Sequence, residues 1–439
     1  MKESALKIIK HKLLERHFEE SLLFFIIGIL CAGVCSLYAW LFALAEHGSV
    51  KLFGQYPYLT FLVFPIAMML AFYLVRRFAP GSSGSGIPQV LASIEIRDEG
   101  LAREFLRKMV ILVKIFSSFI AIFAGAAIGR EGPSLQISAA IAYNTGKLTE
   151  KLGLKMKVEQ LLIAGAAGGL SAAFNTPIGG VVYAIEELSK EHVRNFRDVL
   201  LLSVVISGLT AQLISGNYLF LGYPMVTKNH SAWAMFLIII CALCAGMLGG
   251  ISSKFLIDLM RWRSSKPLKT QLMIVATLGL IFAAAFTYLG PRNLYSGKES
   301  INVVLFATDE LPWYEFLTRV SMPVLSSMSG IAGGIFAPAL SAGATFGGLF
   351  AGVLDPSLTV ILGLSGMVGF LTGVTHTPIT SFILVLEMTD RHSVVFPMMI
   401  AALCASIGAH LIGNESFYEE VVEDIKKKRK AEKSAAEAP

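Results

Sequence analysis

The stretch GAAGGLSAAFNTPIGGVVYAIEE, residues 165–187, recurs in outline as GMVGFLTGVTHTPITSFILVLEM, residues 366–388. At one constant offset the two segments share two glycines, a leucine, a Thr-Pro-Ile tripeptide and a glutamate near the end. A second pair lies just upstream in each half: GAAIGREGPSL from Gly125 and GIAGGIFAPAL from Gly330. These segments share two glycines, a proline and a leucine. The sequence therefore predicts a fold built from two copies of one unit.

Composition places both copies in a membrane. Of the 439 residues, 54% are hydrophobic and 15% are charged, and the mean hydropathy is +0.65, outside the balance of an ordinary soluble domain. Apolar runs at 21–45, 59–75 and 232–251 approach the ~20 residues with which a helix crosses the hydrocarbon core. Other runs are shorter or are interrupted by Gly and Pro, which predicts helices that enter the bilayer without spanning it. The expected fold class is an all-α integral membrane protein.

Both ends of the chain are expected in the cytoplasm. The first residues are mixed in charge and helical in period, without the pattern of a cleaved signal peptide. The last residues are basic and rich in Ala, which predicts a disordered topology anchor rather than a nucleic-acid-binding patch. We therefore predict a cytoplasmic N-terminal helix at 1–19, a transmembrane domain at 20–420 with repeats at about 20–215 and 230–415, and a basic cytoplasmic tail at 421–439. The expected location is the plasma (inner) membrane.

Three glycine-rich segments precede apolar helical runs: GSGIPQ at 84–89, GREGPS at 129–134 and GGIFAP at 333–338. Proline in the first turn, with glycine just before it, is typical of a helix N-terminus. The free backbone N–H groups and the positive end of the helix dipole attract anions there. Several N-termini that meet would bind an anion without a full positive charge, so a transported ion could also leave. The duplication places such a site near the middle of the bilayer.

Glu131 lies within the second of these segments. Burial of a carboxylate in a membrane costs ~2.5 kcal/mol or more, so an ionisable residue at such a position is a functional candidate. The ionised side chain could take the place of a transported anion. Protonation would remove its negative charge and with it the attraction to that place. This predicts a gate coupled to protons. The alternative is a structural pair with Arg130.

The two halves differ at Glu187. It corresponds to Met388 in the second copy, whereas Glu186 corresponds to Glu387. The matched glutamates are predicted to be structural, and Glu187 to carry a role of one copy only. A carboxylate near the cytoplasmic face would give protons a route to Glu131 that is separate from the route of the anion. The alternative for Glu187 is a solvated glutamate at a helix end.

The motifs GSGIP, GREGP and GGIFAP, in this order and flanked by FNTPIGGVVYAIEE and LVLEMTD, resemble those of the CLC family of chloride channels and chloride/proton antiporters. The resemblance runs from about residue 20 to 420. It implies an inverted repeat of tilted, partly non-spanning helices that assembles as a homodimer with one pathway per subunit. Chloride ions and protons would be the transported partners and membrane lipid the surroundings. We expect no cofactor and no metal.

The resemblance also implies a central anion site. Ser85 in GSGIP and Tyr418 in NESFYEE resemble the two residues whose hydroxyls bind the central anion. The backbone N–H groups of Ile335 and Phe336 in GGIFAP would complete this site. Gln89 departs from the pattern, because many relatives have glutamate there. Ser85 argues for chloride, since fluoride exporters of the family generally replace this serine.

An outer site and a proton route follow from the same resemblance. Backbone groups of Arg130, Glu131 and Gly132 would line the outer anion site, and Glu131 matches the external gating glutamate. Glu187 matches the internal proton-transfer glutamate, so its presence favours an antiporter. The residues after 420 are too few for a pair of regulatory domains, which implies the compact prokaryotic type. A passive chloride channel and a fluoride/proton antiporter are the alternatives on this fold.

A different class of protein fits two short motifs. GSSG at 81–84 and AHLIG at 409–413 match motifs of intramembrane serine proteases, with Ser83 as the nucleophile and His410 as the base. The two motifs lie far apart in sequence, and the protease reading leaves the duplication and Glu131 without a role. We therefore expect a transporter rather than an enzyme.

Overall fold

The computed structural model describes residues 2–188, 197–216, 219–226, 231–307, 311–389 and 392–437. Within these ranges the ordered backbone is helical apart from turns and two isolated backbone bridges, Gly84 with Ala332 and Gly129 with Gly334. This confirms the predicted all-α class. Both bridges involve the glycine-rich segments.

The first half of the chain forms helices that are mostly joined by short connections. They are α1 (Lys2–Gln55), α2 (Thr60–Phe78), α3 (Ile87–Ile96), α4 (Glu99–Leu106), α5 (Lys108–Phe123), α6 (Glu131–Glu150), α7 (Val158–Phe174), α8 (Pro177–Tyr183) and α9 (Arg197–Ser215). A π-helical segment, Ala184–Leu188, continues α8. Such π-segments occur frequently at functional sites.

The second half has a similar succession. Its helices are α10 (Ala232–Ser264), α11 (Leu268–Leu289), α12 (Lys298–Phe306), α13 (Trp313–Met328), α14 (Phe336–Leu354), α15 (Thr359–Thr375), α16 (Pro378–Thr389), α17 (Val395–Ile412) and α18 (Phe417–Glu437). Single 3₁₀ turns lie between helices in both halves, at Pro57–Leu59, Pro80–Ser82, Pro291–Asn293, Pro356–Leu358 and His392–Val394.

Helix lengths agree with a membrane protein whose helices do not all span. In the part of the chain that the structure describes, seven helices are long and apolar enough to cross a bilayer: His17–Gln55, Pro57–Phe78, Ala232–Ser264, Leu268–Leu289, Phe336–Leu354, Pro356–Thr375 and Val395–Ile412. Shorter apolar helices are Ile87–Ile96, Val158–Phe174, Leu201–Ser215 and Pro378–Thr389. The shorter helices include α7 of the first repeat and α16 of the second.

The repeat found in the sequence is also a repeat of structure. Helices α6, α7 and α8 correspond to α14, α15 and α16. Asn175 follows the end of α7 and His376 follows the end of α15, and both residues are left-handed, with φ of 56° and 55°. Asn and His are among the residues enriched in this conformation. A Thr-Pro pair then starts the next helix in each copy, so the same local sequence gives the same turn twice.

Close backbone contact joins α14 to α15. A Cβ atom on Gly343 would overlap the carbonyl of Gly366, and a Cβ on Gly366 would overlap the carbonyl of Gly343. Small residues at such crossings let membrane helices approach until their backbones touch. The glycines of this pair therefore set the spacing at the centre of the second repeat.

The two repeats exchange helix caps. The Glu186 carboxylate accepts hydrogen bonds from two first-turn N–H groups of α16, at 3.0 and 2.6 Å. The Glu387 carboxylate accepts from two first-turn N–H groups of α8, at 3.1 and 2.7 Å. Each glutamate thus satisfies backbone donors that a helix start leaves free. The reciprocal arrangement is that of an approximate two-fold relation, and it confirms the structural role predicted for these glutamates.

The ends of the chain are both helical. Helix α1 begins at Lys2 and continues through Gln55, in agreement with the N-terminal helix predicted for residues 1–19. The prediction of a disordered tail is wrong, because α18 continues to Glu437. Arg429 and Lys433 lie 3.2 and 2.8 Å from the Asp98 carboxylate. These distant partners hold the basic helix against the segment between α3 and α4.

Candidate functional site

The three glycine-rich segments meet and are hydrogen-bonded to one another. The Gly84 N–H donates to the Ile331 carbonyl at 2.8 Å, and the Gly333 N–H donates to the Gly84 carbonyl at 3.0 Å. Gly129 and Gly334 exchange two N–H···O bonds, both 2.8 Å long. The segments that the sequence places far apart therefore form one structural unit.

Three helices start at this unit. Helix α3 begins at Ile87 after Gly86, which has φ of 94°, α6 begins at Glu131, and α14 begins at Phe336. None of the three receives a hydrogen bond from its own N-cap side chain. Free first-turn N–H groups and the positive ends of the dipoles make each start attractive to negative charge. The predicted convergence of helix N-termini is present.

Two buried hydroxyls lie beside these helix starts. The Tyr418 hydroxyl, on the first turn of α18, faces Ser85. Neither hydroxyl makes a hydrogen bond of normal geometry to the described residues, although the two lie close enough to interact with each other. The Tyr418 ring stacks on Phe336, with centroids 6.2 Å apart and an interplanar angle of 17°. The structure thus brings Ser85, Tyr418 and the start of α14 together, as the sequence predicts.

The Glu131 carboxylate lies between the starts of α6 and α14. Glu131 is 2% exposed, and the backbone N–H groups of Arg130, Glu131 and Ala337 face its carboxylate. A Cβ on Gly129 would overlap Oε2 of Glu131 and would lie 3.2 Å from the Pro338 ring. The bare Cα of Gly129 therefore leaves the space that the carboxylate fills, against the α14 terminus.

Arg130 is not the structural partner of Glu131. Its guanidinium lies 5.7 Å from the centre of the Phe220 ring and donates to the Ala39 carbonyl at 3.3 Å. Within the described parts of the chain, no salt bridge joins Arg130 to Glu131. The direct ion pair of the structural alternative is therefore not formed among the described residues, and Arg130 interacts with Glu131 only through its charge.

A cavity of about 790 Å³ leads to Glu131. We call it the Glu131 cavity. Its lining includes five basic residues against three acidic ones and one histidine: Lys51, Arg130, Arg292, Lys298 and Arg319, with Glu46, Glu131, Glu299 and His47. An excess of positive charge in a cleft raises the local concentration of anions. The cavity therefore suits the approach of an anion to the carboxylate.

Glu187 lies near Tyr183 and Tyr418. It belongs to the π-helical segment, and only 4% of it is exposed. Tyr183 and Tyr418 both interact electrostatically with its carboxyl group, and Tyr418 interacts with Glu131 as well. The alternative of a solvated helix-end glutamate is therefore wrong, because the side chain is buried near the centre of the site.

Sequence reasoning missed two buried residues of this region. The Lys114 ammonium donates to the carbonyls of Ser82 and Gly84, at 3.1 and 2.8 Å, and so holds the first glycine-rich segment. Lys114 is a lone charge within an apolar run, and that signal could have drawn attention to it. Tyr183 lies near Glu187 and Tyr418, and nothing in its sequence setting marks it. Gln89 donates from Nε2 to the Ser83 carbonyl at 2.8 Å, so it also supports this segment.

Ser83 and His410 do not form a catalytic pair. The Ser83 hydroxyl donates to the Gly330 carbonyl at 3.0 Å. His410 is exposed on α17, where its Nδ1 lies 2.7 Å from the Ser406 carbonyl oxygen and its ring lies 5.0 Å from that of His376. Each of the two residues is thus engaged elsewhere.

The fold and the site first define a class: a duplicated helical membrane protein whose converging helix N-termini enclose a carboxylate and two unpaired hydroxyls. Residues 67–410 match the profile of a family described as voltage gated chloride channel. The match covers more than half of the chain, and the chain belongs to that family.

Two proteins of similar sequence are named as transporters. The H(+)/Cl(-) exchange transporter ClcA of Salmonella typhi is 30% identical over 406 residues, covering 86% of this chain and 81% of the relative. The protein of the same name from Vibrio campbellii is 28% identical over 378 residues, covering 80% and 76%.

Solved structures with the same fold are CLC proteins. A slow cyanobacterial Cl−/H+ antiporter has a TM-score of 0.79 at 22% identity, covering 92% of this chain and 97% of its own. A CLC-type fluoride/proton antiporter has a TM-score of 0.74 at 19% identity, covering 89% and 96%. The two structures are named for different anions, so the shared fold does not by itself select the anion.

Proposed function

We propose that the protein exchanges chloride for protons across the plasma membrane, with the two ions moving in opposite directions. The observation that carries this proposal is the position of the Glu131 carboxylate. It occupies the space between the starts of α6 and α14, at the inner end of a cavity with excess positive charge. A carboxylate fits there only because the place suits an anion.

Competition at this place couples the two ions. The ionised Glu131 accepts the backbone N–H groups and keeps an anion out. A proton on its carboxyl group removes the negative charge, so the N–H groups become free for chloride. When the proton leaves again, the carboxylate returns and displaces the ion. Each exchange of occupant therefore links movement of the anion to movement of the proton.

The next anion site is formed by the hydroxyls of Ser85 and Tyr418 and by the backbone N–H groups of Ile335 and Phe336. Unpaired buried hydroxyls are costly, and an anion supplies the acceptor that both lack. The four groups that would contact the anion carry no full positive charge, so binding is moderate and the ion can leave. Arg130, Glu131 and Gly132 supply the backbone of the outer site.

Glu187 delivers protons from the cytoplasmic side by a route separate from that of the anion. Its burial next to Tyr183 and Tyr418 supports this role, because a buried carboxyl group near the site can exchange a proton with it. Ser85 favours chloride over fluoride. A passive chloride channel on the same fold is the second candidate, and the names of the similar proteins favour exchange.

The remaining parts of the proposal concern assembly and location. We propose a homodimer with one pathway per subunit, lying in the plasma (inner) membrane with both termini in the cytoplasm. The seven apolar helices support the membrane location, and the basic tail supports its orientation.

The test compares Glu187→Gln with the wild type in liposomes under a chloride gradient. The variant is expected to move chloride with little proton movement, because Gln cannot exchange a proton. Glu150→Gln, at the end of α6 on the surface, serves as the matched control and should couple as the wild type does. Unchanged coupling in Glu187→Gln would contradict the proposed proton route. Competition between chloride and fluoride for binding tests the role of Ser85.

A further inference from the structure

Tyr183 lies beside the proposed site without a role in it. It is the last residue of α8, directly before the π-helical segment that carries Glu187, and it is 0% exposed. Its ring meets the edge of Phe336, with centroids 6.0 Å apart at 76°. Phe336 also stacks on Tyr418, so the two tyrosines lie against the same phenylalanine.

The Tyr183 hydroxyl is a polar group without a hydrogen-bond partner among the described residues. The titratable groups that interact with it are Glu187, from the adjoining π-helical segment, and Tyr418, from α18. Tyr418 in turn interacts with Glu131. Tyr183 and Tyr418 both interact with Glu187, and Tyr418 also interacts with Glu131, so the two tyrosines connect the two carboxyl groups.

The surroundings of this series are otherwise aromatic. The Phe174 ring lies 6.2 Å from Phe336, the first residue of α14, on which both tyrosine rings pack. Phenyl rings neither accept nor release protons. A hydroxyl both donates and accepts, so an unpaired one in this layer is suited to pass a proton on.

We propose that Tyr183 is a relay residue for the proton between Glu187 and Glu131, an inference that rests on the proposed exchange function. Protonated Glu187 gives its proton to the Tyr183 oxygen, while the hydroxyl proton of Tyr183 passes to a water molecule next to Tyr418. The water passes its excess proton to the Glu131 carboxylate. Glu187 is left ionised, Tyr183 is neutral again, and Glu131 is protonated.

The experiment measures chloride and proton fluxes in the same liposomes for the wild type, Tyr183→Phe and Tyr143→Phe. Tyr143, a buried tyrosine of α6, lines a separate cavity with Asp98 and Lys157 and is the matched control. Tyr183→Phe is expected to lower the proton flux by about 100-fold, the low end of what one positioned proton-transfer group contributes. Chloride flux should fall less, so the number of chloride ions moved per proton rises. Tyr143→Phe should leave both fluxes as in the wild type.

Further measurements separate the relay from a structural effect. The lost hydroxyl makes no hydrogen bond, so Tyr183→Phe should unfold at the temperature of the wild type and bind chloride with the same affinity. Adding Tyr183→Phe to Glu187→Gln should lower the proton flux no further, because both changes interrupt one route.

Two results overturn the relay. Proton flux equal to that of the wild type in Tyr183→Phe does so, and so does weaker chloride binding with an unchanged ratio of ions, which would make Tyr183 an anion ligand. If the wild type itself moves no protons, the proposed function fails together with the relay. If the wild type exchanges the two ions and Tyr183→Phe does so equally well, only the relay is contradicted and the proposed function stands.

Discussion

Gly132 offers a way to disturb the proposed central site through a single methyl group. It is the second residue of α6, and a Cβ added there would lie 3.0 Å from the Ser85 carbonyl oxygen and 3.3 Å from the Ser85 Cβ. The same Cβ would overlap the Ser85 hydroxyl, closer than the 3.0 Å limit of real Cβ contacts. The hydroxyl is the most easily moved of these groups. We expect Gly132→Ala to rotate it out of the site.

The loss corresponds to one hydrogen bond to a charged partner. Such bonds contribute about 1.5–3 kcal/mol. The dissociation constant for chloride should therefore rise by about 10- to 150-fold. Gly33→Ala is the control, since a Cβ there meets nothing within 4 Å.

Isothermal titration of purified protein with chloride measures this change. Because Gly132→Ala acts through the Ser85 hydroxyl, it should weaken binding little further in a Ser85→Ala background. The reasoning is refuted by a Gly132→Ala protein that binds chloride as the wild type does. It is also refuted if Gly132→Ala weakens chloride binding as much in the Ser85→Ala background as in the wild type.

Two further predictions concern the frame around the site. Glu186→Gln and Glu387→Gln each weaken a helix cap between the repeats. Each substitution should therefore lower the free energy of unfolding by about 1–3 kcal/mol. An unfolding transition in detergent like that of the wild type would contradict the capping role. The Lys433 and Arg429 cations and the Leu101 N–H hold the pKa of Asp98 below its ordinary value of 3.8. The contribution of these contacts to the free energy of unfolding is thus complete at pH values above 3.8. It is lost as the pH falls through the lower pKa of Asp98 in the folded state. Hydrogen exchange of the last turns of α18 should rise at low pH in the wild type and not in Asp98→Asn, and equal pH dependence in both proteins would remove Asp98 as the cause.

Local patterns in the sequence were enough for the repeat and for the helix starts at the site. Glycine and proline at Gly129 and Pro133 have local meanings that hold wherever the helix packs. The comparison of the two halves correctly identified Glu186 as a structural residue and distinguished it from Glu187. Contacts between segments that are distant in the sequence leave no comparable local pattern in it. The bonds from Lys114 to the first glycine-rich segment depend on the packing of α5, and composition does not reveal that packing.

The tail shows the same limit. Residues 421–439 are basic and polar, a composition typical of disorder. The chain is helical as far as Glu437, where Arg429 and Lys433 form ion pairs with Asp98 and Lys426 lies 2.9 Å from Glu95. Arg429 lies 331 positions from Asp98 in the sequence. No property of the tail alone predicts that partner.

The central claim is that one buried carboxylate couples the two ions. Its most direct test loads liposomes with chloride, dilutes them into chloride-free buffer and follows the internal pH for the wild type and for Glu131→Gln. Chloride leaving through the wild type should draw protons inward against their gradient, whereas Glu131→Gln should release chloride with no proton uptake. Chloride efflux through the wild type without proton uptake, or proton uptake that persists in Glu131→Gln, would contradict the account.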